Sequence, residues 1–191
     1  RKPPTVLQKL GKKLAKEVGP SEPIQKALAK DKGIELVVEV EDDFHEFWQG
    51  DSTRVLQILT NIVSNAVKFT NQGSVTIKIY SEVEELNQSQ LCFSVTDTGI
   101  GMDEEAVGKL FHRFEQADSS TTRSFGGTGL GMAITDMLIS QMAGSVRVTS
   151  EVGKGSCFTV SLPLKKSESE TQQKIQDSSD KREVPDFTSK R

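Results

Sequence analysis

Asp97-Thr98-Gly99-Ile100-Gly101 ends an alternating apolar run, and further along Gly126-Gly127-Thr128-Gly129-Leu130-Gly131 opens an apolar helix. Glycines at this density permit positive φ and let backbone N–H groups approach a ligand closely. A helix start just beyond them offers partial positive charge to a phosphate. A lone carboxylate first and a glycine loop later point to a nucleotide whose base and phosphates are read by two separate loops.

The residues leading to Asp97 predict two strands with period-2 alternation, Val75, Ile77 and Ile79 on one face, then Leu91, Phe93 and Val95, joined by a polar loop at 82–89. Upstream, Asp51 or Ser52 caps a helix over 52–69. Val55, Leu59, Ile62 and Ala66 form its stripe, widened by Leu56, Val63 and Val67, and Asn71-Gln72-Gly73 stops it. Residues 34–40 suit a first strand, and 5–18 read as a helix or lead-in segment, with Val6, Leu7, Leu10, Leu14 and Val18 at helical spacing. Downstream, Asp103-Glu104-Glu105 starts a short helix to Leu110, and 115–128 lack periodicity, as a functional loop does. A helix over 129–142 is expected to bury Leu130, Ala133, Ile134, Met137 and Leu138, and 145–150 with 156–162 form a hairpin. The sum is an α/β (α+β) two-layer sandwich, a mixed sheet under three helices. The charged, Ser-rich stretch 165–191 is expected to be disordered linker.

Composition narrows the function classes. With 191 residues and 35% hydrophobic content, the chain supports one core plus tails. A net charge of −3 and no basic stripe argue against nucleic acid as a partner. Cys92 and Cys157 fall in separate strand-like runs, and neither a disulfide nor a metal site is expected of them. No run of about 18 apolar residues and no signal segment occur, so a soluble, cytoplasmic chain is expected. A start at Arg1 rather than Met suits a piece of a longer protein.

Asn61, Asn65 and Lys68 lie at i, i+4 and i+7 of the long helix and share a polar stripe. An Asn carbonyl ligates Mg2+ without repelling phosphates, and Lys68 supplies a point charge for them; an ordinary solvated helix face is the competing reading. Asp97 can be a turn-forming residue or a base reader. In an apolar pocket its carboxylate accepts from the exocyclic amine of adenine, whereas guanine would set a carbonyl oxygen against it. The second glycine cluster is no Walker A loop, and no dinucleotide fingerprint follows a strand.

The ordered set Asn61-x-x-x-Asn65-Ala66, Asp97-x-Gly99-x-Gly101, Phe111-His112-Arg113-Phe114-Glu115-Gln116 and Gly127-Thr128-Gly129-Leu130-Gly131 resembles the N, G1, F and G2 boxes of the sensor histidine kinase ATP-binding domain. The resemblance covers residues 34–163 and implies the Bergerat ATP-binding fold, shared with gyrase, MutL and heat-shock chaperones, with a mostly antiparallel sheet. It implies ATP and Mg2+ as cofactors, with Asn65 as the metal ligand and Asn61, Lys68 and Arg113 beside it in the catalytic set. Asp97 would hold adenine, while Gly99, Ile100, Gly101 and Phe114 line the base. Gly127, Thr128, Gly129, Leu130 and Gly131 would wrap the triphosphate, residues 115–128 would be the lid, and Thr159 would support adenine through a water.

The resemblance also implies a domain over 26–164, preceded over 1–25 by a linker from a His-bearing dimerisation domain. A receiver domain downstream, a homodimer and an inner-membrane anchor for the full-length protein are expected with it. Where water-using ATPases and serine kinases of this superfamily carry a Glu, the chain has Asn61, so no carboxylate activates a hydroxyl; a His acceptor needs none. His45 and His112 both lack the context of a phospho-accepting His, and packing or solvation suits them better. A non-catalytic ATP-driven switch and a water-using ATPase of the same fold are the alternatives.

Overall fold

The computed structural model describes residues 6–7, 14, 29–45, 47–83, 89–110 and 130–166, with backbone alone at 6, 7 and 130. In chain order the strands are β1 (Val6–Leu7), β2 (Ile34–Val40), β3 (Trp48–Gln49), β4 (Gly73–Val83), β5 (Ser89–Asp97), β6 (Ser145–Glu151), β7 (Gly155–Leu162) and β8 (Lys165–Lys166). The helices named here are α1 (Ser52–Phe69), α2 (Glu104–Lys109) and α3 (Leu130–Gln141).

Asp51 sets where α1 begins. Its carboxylate accepts from the Thr53 and Arg54 N–H groups at 3.0 and 3.3 Å, satisfying donors that have no partner inside the helix. The stripe read from the sequence is the buried face, Val55, Leu59, Ile62, Val63, Ala66 and Val67, joined by Ile58, with Leu56 half-buried at its margin. Thr70 ends the helix: its N–H and its hydroxyl both donate to the Ala66 carbonyl, at 3.1 and 2.7 Å.

Beneath α1 and α3 lies a mixed sheet ordered β2-β4-β5-β7-β6, in which β2 and β4 pair in parallel and every other neighbour is antiparallel. A parallel pair needs a crossover, and α1 supplies it. Strand alternation then sends Val75, Ile77 and Ile79, Leu91, Phe93 and Val95, and Phe158, Val160 and Leu162 into one core, all of them buried. Cys92 and Cys157 are free thiols, the first buried and the second half-buried.

Four expectations change. Residues 6–7 are not helical but a strand, paired antiparallel with Trp48–Gln49; Leu14 is helical and fully buried. Lys165–Lys166 are strand rather than linker, on the other side of Trp48–Gln49, so β1, β3 and β8 form a small second sheet. An exposed edge needs only backbone, and the Lys166 ammonium sits 5.9 Å from the Trp48 ring centre. The short helix α2, capped by Asp103, buries no residue, so of the three helices named here α1 and α3 contribute to the core, joined by the helical residues Leu14 and Ala29. On α3, Ala133 and Leu138 are buried and Ile134 half-buried as expected, but Met137 is 49% exposed, and Met132, Thr135 and Ile139 point inward instead. The loop 115–128 and the tail from 167 lie outside the described residues. Among the described residues no helix is long and apolar enough to cross a membrane.

Candidate functional site

Strand β5 delivers Asp97 at its last residue, on the helix side of the sheet, where its side chain is only 6% exposed. The Gly99 N–H donates to its Oδ1 at 2.8 Å, and the Ser156 N–H also bonds the carboxyl. Burial outweighs these two bonds and lifts the Asp97 carboxyl above its ordinary value. No cation among the described residues pairs with it, which leaves a desolvated acceptor able to receive a further N–H.

Backbone holds the turn after Asp97 from two sides. Below it, the Ile100 N–H donates to the carbonyl of Phe69, the last residue of α1, at 3.3 Å. A methyl on Gly99 would lie 2.9 Å from that carbonyl carbon and 2.8 Å from the Asp97 Oδ1. Above it, the Gly153 N–H donates to the Ile100 carbonyl at 2.7 Å, and Gly101 sits at φ 67° against Glu151. The chain's own backbone therefore already demands glycine at 99 and 101. Ile100 is 48% exposed beside them.

Two residues that sequence reasoning missed complete this end of the sheet. Ser156 stands directly across from Asp97 in the β5–β7 ladder. Ser150 accepts from the Met102 N–H at 2.8 Å, donates to the Gly155 carbonyl at 3.0 Å and lies 2.8 Å from the Ser156 hydroxyl. An open cavity of about 320 Å3 lies beside Asp97, lined by Thr96, Thr149, Glu151, Lys154 and Cys157 among others; neither Asn61 nor Asn65 reaches it. Thr159 does not meet Asp97: it pairs with Ser94, on the sheet face opposite to Asp97, with its hydroxyl 3.9 Å from the Cys157 sulfur. Strand alternation places Ser156, not Thr159, on the sheet face that carries Asp97.

Along α1, Asn61 and Asn65 are half-buried and Lys68 is exposed, its ammonium 5.3 Å from the Phe69 ring centre. Asn61 Nδ2 donates to Thr135 Oγ1 at 3.3 Å, and that hydroxyl donates to the Gly131 carbonyl at 2.8 Å. Asn61 thus ties α1 to the first turn of α3, a link through Thr135 that the sequence did not announce. Asn65 has no hydrogen-bond partner for its amide among the described residues, so its neutral carbonyl oxygen is available. No group of three or more His, Cys, Asp or Glu placed to hold a metal exists among the described residues; a neutral amide oxygen such as that of Asn65 is of the type that can ligate a divalent ion beside phosphate oxygens. A methyl on Gly131 would meet nothing within 4 Å, and Leu130 is the first residue of α3. Arg113, Phe114, Gly127, Thr128 and Gly129 lie outside the described residues, as does His112. His45 packs edge-on to Trp48 at 5.9 Å and accepts the Trp48 indole N–H on its carbonyl at 2.6 Å, the packing role expected of it.

The profile of the family described as histidine kinase-, DNA gyrase B-, and HSP90-like ATPase matches residues 50–166. The sensor protein GacS of Pseudomonas syringae pv. syringae is 44% identical over 144 residues, which cover 75% of this chain and 16% of that protein. The hybrid signal transduction histidine kinase B of Dictyostelium discoideum is 39% identical over 133 residues, 70% of this chain and 7% of the relative. The chain therefore spans well under a fifth of the length of these relatives. Among solved structures, full-length ShkA in complex with AMPPNP superposes with a TM-score of 0.66 at 31% identity, over 87% of this chain and 32% of that one.

Proposed function

Because the chain belongs to the histidine kinase-, DNA gyrase B-, and HSP90-like ATPase family, we propose that it is the ATP-binding catalytic domain of a sensor histidine kinase. It binds Mg-ATP and passes the γ-phosphoryl group to a His on a separate dimerisation domain. The observation that carries this reading is Asp97: a buried carboxylate with no counter-ion among the described residues, held by the Gly99 and Ser156 N–H groups and backed by α1, suits the exocyclic amine of adenine. The kinship to proteins named as sensor kinases, and to a structure holding an ATP analogue, agrees with it.

In this reading Gly99, Ile100 and Gly101 form the floor beside the base. Lys68 gives positive charge to the phosphates from the end of α1, and Asn61 keeps the start of α3 against α1 through Thr135. Gly127, Thr128, Gly129, Leu130 and Gly131 are assigned to the triphosphate, whose charge suits a glycine-rich helix start, and Arg113 and Phe114 to the same nucleotide. Mg2+ held on Asn65 would neutralise phosphate charge, which the neutral amide allows. No carboxylate stands at Asn61 to activate water, and the acceptor is an imidazole. Its nitrogen bonds to the γ-phosphorus as the bond to ADP breaks, and its N–H proton leaves to solvent; the domain contributes alignment and charge.

The unit taken to fold together is 26–164, extended by the β8 pairing at Lys165–Lys166 and, from the segment 1–25 that leads from the dimerisation domain, by the β1 pairing and the buried Leu14. A downstream receiver domain, a homodimeric and membrane-anchored whole protein, and absence of nucleic-acid binding complete the proposal. The test mixes the chain with its His-bearing helical domain and γ-labelled ATP. Label is expected on the helical domain alone; strong labelling of this chain, or steady phosphate release by it, would overturn the assignment.

A further inference from the structure

The C-terminal end of α1 has an unusual partner. The Lys32 ammonium donates to three backbone carbonyls there, Val67 at 3.0 Å, Lys68 at 2.7 Å and Thr70 at 3.2 Å. These oxygens cannot be satisfied within the helix, and the helix dipole adds negative potential at the same place. The carbonyl they surround, that of Phe69, receives the Ile100 N–H, and the Ala66 carbonyl is taken by Thr70. The terminal carbonyls of α1 are thus divided between one lysine, the cap residue and the turn that carries Asp97.

Resting on the nucleotide reading above, we infer that Lys32 is a positioning residue for the ATP site. It locks the last turn of α1 so that Phe69 offers its carbonyl to Ile100, which sets the Gly99 N–H on the Asp97 carboxylate. The path is short and made of backbone: Lys32 ammonium, α1 carbonyls, Phe69 to Ile100, Gly99 to Asp97. The same turn carries Lys68, so one ammonium registers the base side and the phosphate side together. Lys32 is itself fixed, because Gly33 at φ 66° turns the chain directly into β2, whose Ile34 pairs with Gly73. Removing the ammonium leaves three carbonyls converging on nothing, and the helix end is then free to fray away from Ile100.

The experiment compares Lys32→Met, which keeps the aliphatic stem, with wild type and with Lys30→Met, an exposed neighbour that controls for lost charge. Amide hydrogen exchange at Ile100 and Thr70 is read in the nucleotide-free chain, and ATP affinity by titration. Lys32→Met is expected to speed exchange at both amides and to weaken ATP roughly five- to tenfold, the size of coupling between residues sharing one network; Lys30→Met changes neither. In Lys32→Ala, ethylammonium should restore both readouts and tetramethylammonium, which has no N–H, should not. Lys32→Arg, which keeps charge and donors, serves if the other variants do not fold, and a loss smaller than threefold is expected of it. Unchanged Ile100 exchange in Lys32→Met, or a loss of affinity that ethylammonium leaves untouched while global stability falls, overturns the inference. Should wild type fail to bind ATP, the nucleotide reading falls, and exchange at Ile100 and Thr70 still decides whether Lys32 clamps the turn.

Discussion

Replacing Gly101 by alanine separates two costs that usually arrive together. Gly101 has φ 67°, and a Cβ there would stand 2.6 Å from the Glu151 carbonyl carbon, closer still to its oxygen, and 3.1 Å from the Val152 Cα. Gly153 has a similar φ of 79° with nothing within 4 Å of a Cβ, so Gly153→Ala carries the conformational cost alone. That cost is about 1–2 kcal/mol for an L-residue in the left-handed region. At Gly101 the obstructing atoms are backbone, and relieving them pushes the β6–β7 hairpin off the Ile100 carbonyl, breaking the 2.7 Å bond from Gly153. Overpacking of this kind adds roughly 1–3 kcal/mol, for a total of about 2–5 kcal/mol, a large share of a typical stability of about 5–15 kcal/mol. Urea unfolding reads the difference as a lower midpoint for Gly101→Ala than for Gly153→Ala at an unchanged slope. Equal midpoints for the two variants would refute the packing described around the Asp97 turn.

Two further outcomes follow from the site. Asn65→Ala should weaken ATP binding when Mg2+ is present and leave it nearly unchanged in chelator; equal loss in both conditions would remove Asn65 as the metal ligand. Burial raises the Asp97 carboxyl above 3.8, so between 3.8 and its folded value the native chain holds a proton that the unfolded chain has released. That contribution to stability is full below 3.8 and is lost as pH climbs through the folded value. Thermal unfolding of the nucleotide-free chain should therefore show wild type losing stability relative to Asp97→Asn as pH rises above 3.8, and a slope of opposite sign would show that the carboxylate is stabilised instead.

The long helix was legible because Asp51 announces its start and its apolar residues repeat at one clear phase, so even the buried face was readable in advance. Helix α3 was legible as a helix but not in its rotation. Leu130, Met132, Ala133, Ile134, Met137, Leu138 and Ile139 place apolar residues on nearly every side, so periodicity could not tell that Met137 faces solvent and Thr135 the core. The two-residue strands β1 and β8 have no period at all; they exist because Trp48–Gln49 offers both edges to distant segments. Within the site, Asp97, Gly99 and Gly101 carried their own local signature. Ser156 became visible only through the register of β5 on β7, which also moved Thr159 to the far face. Lys32 had no signature, since a lysine that caps a helix through three distant carbonyls looks like any surface lysine.

The central claim is that Asp97 reads adenine, and calorimetric titration of ATP and GTP into wild type and Asp97→Asn tests it most directly. Wild type should bind ATP and discriminate strongly against GTP, whose carbonyl oxygen opposes the carboxylate. Asp97→Asn should lose a charge-assisted hydrogen bond of about 1.5–3 kcal/mol, a roughly ten- to hundredfold weaker ATP affinity, and with it most of the discrimination. ATP affinity unchanged in Asp97→Asn, or GTP bound by wild type as tightly as ATP, would contradict the account.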